Sequence, residues 1–156
     1  METNEYGEIQ ATLSTMEKIE LPSKDKLIAT FRIDPVAAVR MTRGELKLKY
    51  MDERLLTKTQ VSKKKAIAKY MNFKSSMAWL AKSQRFVMPH HSFWMIFFVP
   101  TSNEERWGYL HTETTPDTDN FTKAFKDAIT KKDHMIADYR TSKVWAADGR
   151  IDIYKI

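Results

Sequence analysis

The longest apolar run of this chain lies within the stretch SFWMIFFVP, Ser92 to Pro100. Its seven central residues are all apolar, four of them are aromatic and none is charged. A run this short and aromatic, closed by a proline, is typical of a central strand buried on both faces. It is also far too short to span a bilayer. The stretch therefore predicts a sheet whose middle strand is shielded from water on either side.

Further segments are predicted to be strands around this one. Residues 27–33 (LIATFRI) combine β-branched and aromatic side chains, as strands commonly do. Residues 45–50 alternate apolar and charged side chains, which predicts a half-exposed strand or one arm of a hairpin. Segments 143–147 and 150–156 flank Asp148-Gly149, a dipeptide that favours the tight turn of a β-hairpin.

Two helices are predicted. Ser62 is the predicted N-cap of a helix over residues 63–82. Trp79 of this helix and Trp94 of the central strand are predicted to belong to the core. The second helix runs from Asn120 to about Lys131. Its apolar residues recur at helical spacing and build one buried face: Phe121, Ala124, Phe125, Ala128 and Ile129.

Length and composition organise these elements into one domain. A chain of 156 residues is long enough for a single domain with its own core. Residues 1–23 carry five Glu and one Lys, which predicts a poorly packed N-terminal extension. Residues 24–156 are then predicted to form one α+β domain, a mixed β-sheet packed with helices.

Several function classes are excluded by the residue types present. The chain has no cysteine, so disulfides, zinc–thiolate sites and thiol nucleophiles are excluded. The N-terminal sequence METNEYGEIQ lacks the basic start and apolar middle of a signal peptide. We therefore expect a soluble protein of the cytoplasm with no membrane partner.

Positive charge is concentrated in one part of the chain. The net charge is +6, yet residues 39–86 alone hold thirteen Lys or Arg against three acidic residues. A solvated helix face accounts for any single lysine, but a concentrated field of this kind favours contact with the phosphates of DNA. The candidate DNA-binding residues are Arg40, Arg43, Lys47, Lys63, Lys64, Lys65 and Lys69.

Acidic residues gather just before the second helix, in the stretch TPDTDNFTK, residues 115–123. Asp117 and Asp119 are two residues apart, so they point the same way in extended backbone. One interpretation is purely structural, with Asp119 capping the helix and Asp117 capping a turn after Pro116. The other is a metal site, because Lys123 lies one helical turn after Asp119 and Asp138 follows a short apolar run that would deliver it to the same place.

Three carboxylates and one lysine would suit a hard divalent cation. Mg²⁺ prefers oxygen ligands and keeps several waters, so two or three Asp suffice to hold it. Such an ion would polarise a phosphodiester and activate water for attack.

The motif PDTDNFTKAFKDAI resembles the signature of the RusA family of Holliday-junction resolvases. The matching elements are Pro116, Asp117, Asp119, Asn120, Lys123, Asp127 and Ala128. The family places a further catalytic aspartate nineteen residues after the second one, where this chain has Asp138. The resemblance is looser upstream, over the stretch IATFRIDPVAAVRMTR, and departs from the family pattern at Arg140 and Asp148.

By this resemblance the protein would be a Mg²⁺-dependent homodimeric endodeoxyribonuclease, with Mn²⁺ as an alternative ion, that cuts four-way DNA junctions by paired symmetric nicks. Many members are carried by phages. The resemblance implies Asp117, Asp119 and Asp138 as metal ligands and Lys123 as a catalytic residue. The alternatives are a non-catalytic binder of branched nucleic acid, a nuclease with a different substrate preference, and a protein-interaction module that uses the Glu-rich N-terminus.

Overall fold

The computed structural model of the protein describes residues 17–156, so the prediction for residues 1–16 lies outside the described residues. In this part of the chain a four-stranded sheet packs against helices, and the predicted α+β class with a mixed sheet is confirmed. The strands are β1 (Leu27–Phe31), β2 (His91–Pro100), β3 (Asp138–Ala146) and β4 (Arg150–Lys155). The α-helices are α1 (Arg43–Leu46), α2 (Lys58–Ser83) and α3 (Thr118–Ile129).

Strand β2 lies inside the sheet, as its apolar sequence predicts. The strand order is β1-β4-β2-β3, so β2 is paired on both edges. It runs antiparallel to β4 and parallel to β3. All six residues 93–98 are buried, which confirms the prediction of a strand shielded on both faces.

The predicted hairpin around Asp148-Gly149 is wrong. Strands β3 and β4 follow one another in the chain, but β2 lies between them in the sheet. The turn residues therefore reverse the chain without pairing its two arms. The physical reason lies in the backbone of β2. This strand has no polar side chain over residues 95–99 and is shielded from water, so its backbone N–H and C=O groups need partners on both edges. Strand β4 supplies the partners on one edge.

The main core lies between the sheet and helices α2 and α3. Odd-numbered residues of β2, such as Phe93 and Phe97, face the helices, and Phe97 stacks on Phe121 of α3 at 5.4 Å between ring centroids. Helix α2 contributes residues such as Phe73 and Met77 to the same core. This packing holds α3 firmly against the sheet, which matters because the predicted site lies at the N-terminus of α3.

The opposite face of the sheet carries a second, smaller core. Trp94, Ile96 and Phe98 are buried there, with Ile19 and Leu110 among the residues packed against them. Ile19 donates its backbone N–H to the carbonyl of Gly108 at 2.9 Å. The end of the predicted N-terminal extension is thus attached to the domain, and the boundary at residues 23 and 24 stays a prediction.

Residues 45–50 do not form the predicted strand. They belong to α1 and a following 3₁₀ turn, Lys47–Tyr50. The Thr42 hydroxyl accepts a hydrogen bond from the Glu45 N–H at 3.2 Å and so caps this short helix. Helix α2 likewise begins before the predicted residue 63, since Thr57 and Gln60 form a reciprocal capping box at its N-terminus.

Gly149 lies where the chain approaches itself closely, and we expect Gly149→Ala to destabilise the fold. A Cβ atom at this position would lie 2.7 Å from the Cα of Asp34, a backbone atom that cannot rotate away. Overpacking of this kind costs about 1–3 kcal/mol of unfolding free energy, which urea denaturation would measure. The matched control is Gly44→Ala, because a Cβ there meets nothing closer than 3.9 Å and alanine favours the helix. Equal stability of the two variants would contradict this account.

No helix among residues 17–156 is both long enough and apolar enough to cross a membrane.

Candidate functional site

A shallow depression of about 240 Å³ lies beside helix α3, near the start of β3. Helix α3 contributes one wall and the segment that leads into β3 contributes the other. The depression is polar, and its lining residues are Asp119, Thr122, Lys123, Lys126, Asp127, Asp133 and Tyr139. It therefore brings together two of the predicted site residues, Asp119 and Lys123.

At the N-terminus of α3, the acidic side chains do not cap the helix. Asp117 occupies the N-cap position, but its carboxylate makes no capping hydrogen bond; its backbone carbonyl instead accepts from the N–H of Asn120 at 3.1 Å. Asp119 lies in the first turn rather than at the cap. Both residues are exposed, and within residues 17–156 neither carboxylate forms an ion pair. The structural interpretation, in which Asp119 caps the helix, is therefore wrong on this point.

Lys123 is held by its own helix. Its ammonium lies 3.3 Å from a carboxylate oxygen of Asp127, one turn further along α3. That same oxygen accepts a hydrogen bond at 2.7 Å from the hydroxyl of Tyr70 on α2. Burial, together with the hydrogen bond to Asp127, raises the pKa of Tyr70, so this hydroxyl stays protonated and remains a donor. The Tyr70–Asp127 pair thus links α2 to the lysine that faces the depression.

Asp138 is placed differently from Asp119. It is the first residue of β3 and pairs with His91 of β2. Two residues further along the strand, Arg140 lies 4.0 Å from the ring centroid of Trp94, on the face of the sheet away from α3. The pairing of β2 with β3 is irregular at this point, between His91 and Phe93. Asp138 is not among the residues that line the depression, whereas its neighbour Tyr139 is. Its role as a metal ligand stays a prediction.

Asp133 is an acidic residue of the depression that the sequence motif does not single out. It begins a 3₁₀ turn, Asp133–Met135, between α3 and β3, and it is exposed. The spacing of nineteen residues from Asp119 points to Asp138 instead. The sequence does contain a usable signal, because Asp133 is the first acidic residue after α3, on the segment that returns the chain to the sheet.

Metal-ligand geometry is incomplete in the described chain. Among residues 17–156, no three Asp, Glu or His side chains lie close enough together to hold a metal ion as they stand. The chemistry of the available donors nevertheless fits a hard cation, because exposed carboxylates are the ligands that Mg²⁺ prefers.

The predicted DNA-binding residues fall into two groups. Lys63 and Lys64 are half-buried and engaged in structural contacts: the Lys63 ammonium donates to the carbonyl of Arg40 at 2.9 Å, and that of Lys64 to the carbonyl of Met51 at 2.7 Å. The remaining candidates are exposed: Arg40, Arg43, Lys47, Lys65 and Lys69. This second group is free to meet phosphates, while the first braces the segment before α2.

Comparison with known proteins points to one family. The family model described as "Endodeoxyribonuclease RusA" matches residues 53–154, about two thirds of the chain. The match covers α2, the whole of β2 and β3, and the acidic N-terminus of α3. No curated protein and no solved structure matched the chain. On the strength of the family match, the chain belongs to the RusA family of endodeoxyribonucleases.

Proposed function

We propose that the protein is a Mg²⁺-dependent, structure-selective endodeoxyribonuclease that resolves four-way DNA junctions by paired symmetric nicks. Family membership supports nuclease activity on junction DNA. The observation that carries the finer proposal is the polar depression beside α3, where the Asp119 carboxylate and the Lys123 ammonium line the same surface. Mn²⁺ is the alternative ion, since it also favours carboxylate ligands.

The metal would be held by carboxylates at the N-terminus of α3. Asp117 and Asp119 are exposed and are not used for capping, so both are available as ligands. Asp133 is the third ligand that the depression favours, and Asp138 is the third ligand that the motif spacing favours. When bound, the ion would supply Lewis acidity toward the phosphodiester and would lower the pKa of a bound water.

The other residues of the depression would act on the charge of the substrate. Lys123 offers an ammonium to the non-bridging oxygens of the scissile phosphate, where negative charge grows as water attacks phosphorus. Asp127 keeps that ammonium near the wall of the depression, and Tyr70 holds Asp127. These contacts would orient the Lys123 ammonium toward the reacting phosphate before the substrate binds.

Two active sites are needed to nick opposing strands at matched positions. A homodimer with a two-fold axis would supply them, because the axis relates the two sites in the same way that the junction relates its strands. The substrate would be met in the cytoplasm of a bacterial or phage-infected cell.

The direct test is cleavage by the purified full-length chain. The substrates are a four-way junction, a flap, a linear duplex and an RNA duplex, each tested across a Mg²⁺ titration with a chelator control. We expect metal-dependent, symmetric nicks in the junction and little cutting of the linear duplex. Binding without cutting at any Mg²⁺ concentration would favour the non-catalytic alternative, and preferred cutting of the flap or RNA would favour the other nuclease alternatives. The non-catalytic alternative is disfavoured in advance, because exposed carboxylates repel phosphates and weaken simple binding.

The exposed basic residues predict salt-dependent binding to DNA. We expect the double variant Lys65→Gln/Lys69→Gln to bind the junction more weakly. The slope of log K against log salt should become shallower by about 0.9 for each phosphate that the variant no longer neutralises. Fluorescence anisotropy at several salt concentrations measures both quantities. The matched control is Lys24→Gln/Lys155→Gln, which removes the same charge from exposed positions outside the basic segment. Equal slopes in the two double variants would show that only overall charge matters.

A further inference from the structure

Lys143 of β3 contacts the segment that precedes α3 at three points. Its backbone carbonyl accepts a hydrogen bond from the N–H of His111 at 2.9 Å. Its ammonium donates to the carbonyl of Thr114 at 2.7 Å and to the carbonyl of Pro116 at 2.9 Å. One residue of the sheet thereby anchors both the beginning and the end of segment 111–116.

The environment of this ammonium argues for a specific structural role. Lys143 is half-buried, and burial lowers its pKa, while the nearby carboxylate of Asp117 acts in the opposite direction. Within residues 17–156 it forms no ion pair closer than 4.0 Å with a carboxylate. Hydrogen bonds from an ammonium to carbonyls are charge-assisted and therefore stronger than those between neutral groups. The lysine thus uses its charge to hold backbone, where most lysines project into water.

The held backbone leads directly into the acidic residues. Pro116, whose carbonyl Lys143 holds, immediately precedes Asp117. The backbone carbonyl of Asp117 in turn accepts the N–H of Asn120 and starts α3. The positions of Asp117 and Asp119 relative to the sheet therefore depend on where the carbonyls of Thr114 and Pro116 are held.

We propose that Lys143 is a positioning residue that holds the segment 114–117 against the sheet and so sets the place of Asp117 and Asp119. This inference rests on the proposed function for the part that treats these aspartates as metal ligands. Lys143 is not among the residues that line the depression. Its expected contribution is to the affinity for the ion and not to the affinity for DNA.

The experiment compares Lys143→Met, Lys143→Gln and Lys143→Arg in the full-length chain, with Lys155→Met as the matched control at an exposed position. The first measurement is hydrogen–deuterium exchange of the peptide covering residues 111–121. We expect exchange at least about tenfold faster in Lys143→Met, intermediate in Lys143→Gln, and within about threefold of wild type in Lys143→Arg and in the control.

The second measurement is the affinity for Mn²⁺, followed by electron paramagnetic resonance without any DNA. We expect the Mn²⁺ dissociation constant to rise at least about fivefold in Lys143→Met. The affinity for a four-way junction, measured in Ca²⁺, should stay within about threefold of wild type. Thermal unfolding of each variant shows whether it is folded, and if Lys143→Met is not, the comparison of Lys143→Gln with Lys143→Arg decides the question.

The outcomes distinguish the anchoring of the segment by Lys143 from its effect on the metal ligands. Unchanged exchange in both Lys143→Met and Lys143→Gln would overturn the proposal that Lys143 holds the segment. Faster exchange with unchanged Mn²⁺ affinity would overturn its role toward the metal ligands. If wild type binds Mn²⁺ but cuts no junction, the proposed function fails while the exchange result still tests the anchor.

Discussion

Asp119→Asn should lower the rate of junction cleavage by about 10³-fold, which corresponds to about 4 kcal/mol of transition-state stabilisation. The substitution keeps the shape of the side chain and removes its charge, so a hard cation loses an anionic oxygen ligand. Asp119 is exposed and, within residues 17–156, has no ion pair, so the fold should be unaffected. Single-turnover cleavage with saturating enzyme measures the effect without interference from product release.

Binding and a matched variant complete this test. Junction affinity should remain within a few-fold of wild type, or increase slightly, because a carboxylate near phosphates is repulsive. The control is Asp25→Asn, an exposed aspartate in the short turn before β1, which should cleave as wild type does. Normal cleavage by Asp119→Asn would end the proposal that this carboxylate serves in catalysis.

Asp133→Asn should also lower cleavage by at least about 10²-fold, whereas Asp138→Asn should reduce it by less than about tenfold. The reason is geometric: Asp133 lines the depression with Asp119 and Lys123, whereas Asp138 is not part of its lining. The two variants serve as controls for one another, since each removes one exposed carboxylate between the end of α3 and the start of β3. Their Mg²⁺ requirements, measured as half-saturating concentrations, should shift in the same order.

The reverse order would support the prediction from motif spacing, in which Asp138 is the third ligand. A large decrease in Asp138→Asn with near-normal Asp133→Asn would mean that the start of β3 rearranges when the ion or the DNA binds. Large decreases in both variants would indicate a site with four carboxylates, which two hard cations could share.

Much of the fold can be predicted because certain residues have only one acceptable environment. Seven consecutive apolar residues cannot face water, so β2 has to be an inner strand. Apolar residues at helical spacing from Phe121 onward likewise predict α3, which the structure places at Thr118–Ile129. The acidic motif points to the family for a different reason. Its charged side chains are exposed and do not have to fit a core, so their identity reflects the chemistry that they perform.

Other features depend on partners that no local pattern identifies. The prediction that Trp79 belongs to the core is wrong, because its side chain is 68% exposed. Only one face of α2 packs on the sheet, and Trp79, two residues after the buried Met77, lies on the other side of the helix. The alternation in residues 45–50 misleads in the same way, because a strand needs a neighbour and a capped short helix forms there instead.

The buried central strand, the amphipathic helix α3 and the acidic motif at its start could all be predicted from local sequence, since hydrophobicity and charge are properties of the residues themselves. Three relations became visible only in the folded chain: β2 separates β3 from β4, Asp133 lines the depression with Asp119, and Lys143 contacts the segment leading to Asp117. These relations join residues far apart in the chain, and they arise because a buried strand must be paired on both edges and a partly buried ammonium must find acceptors.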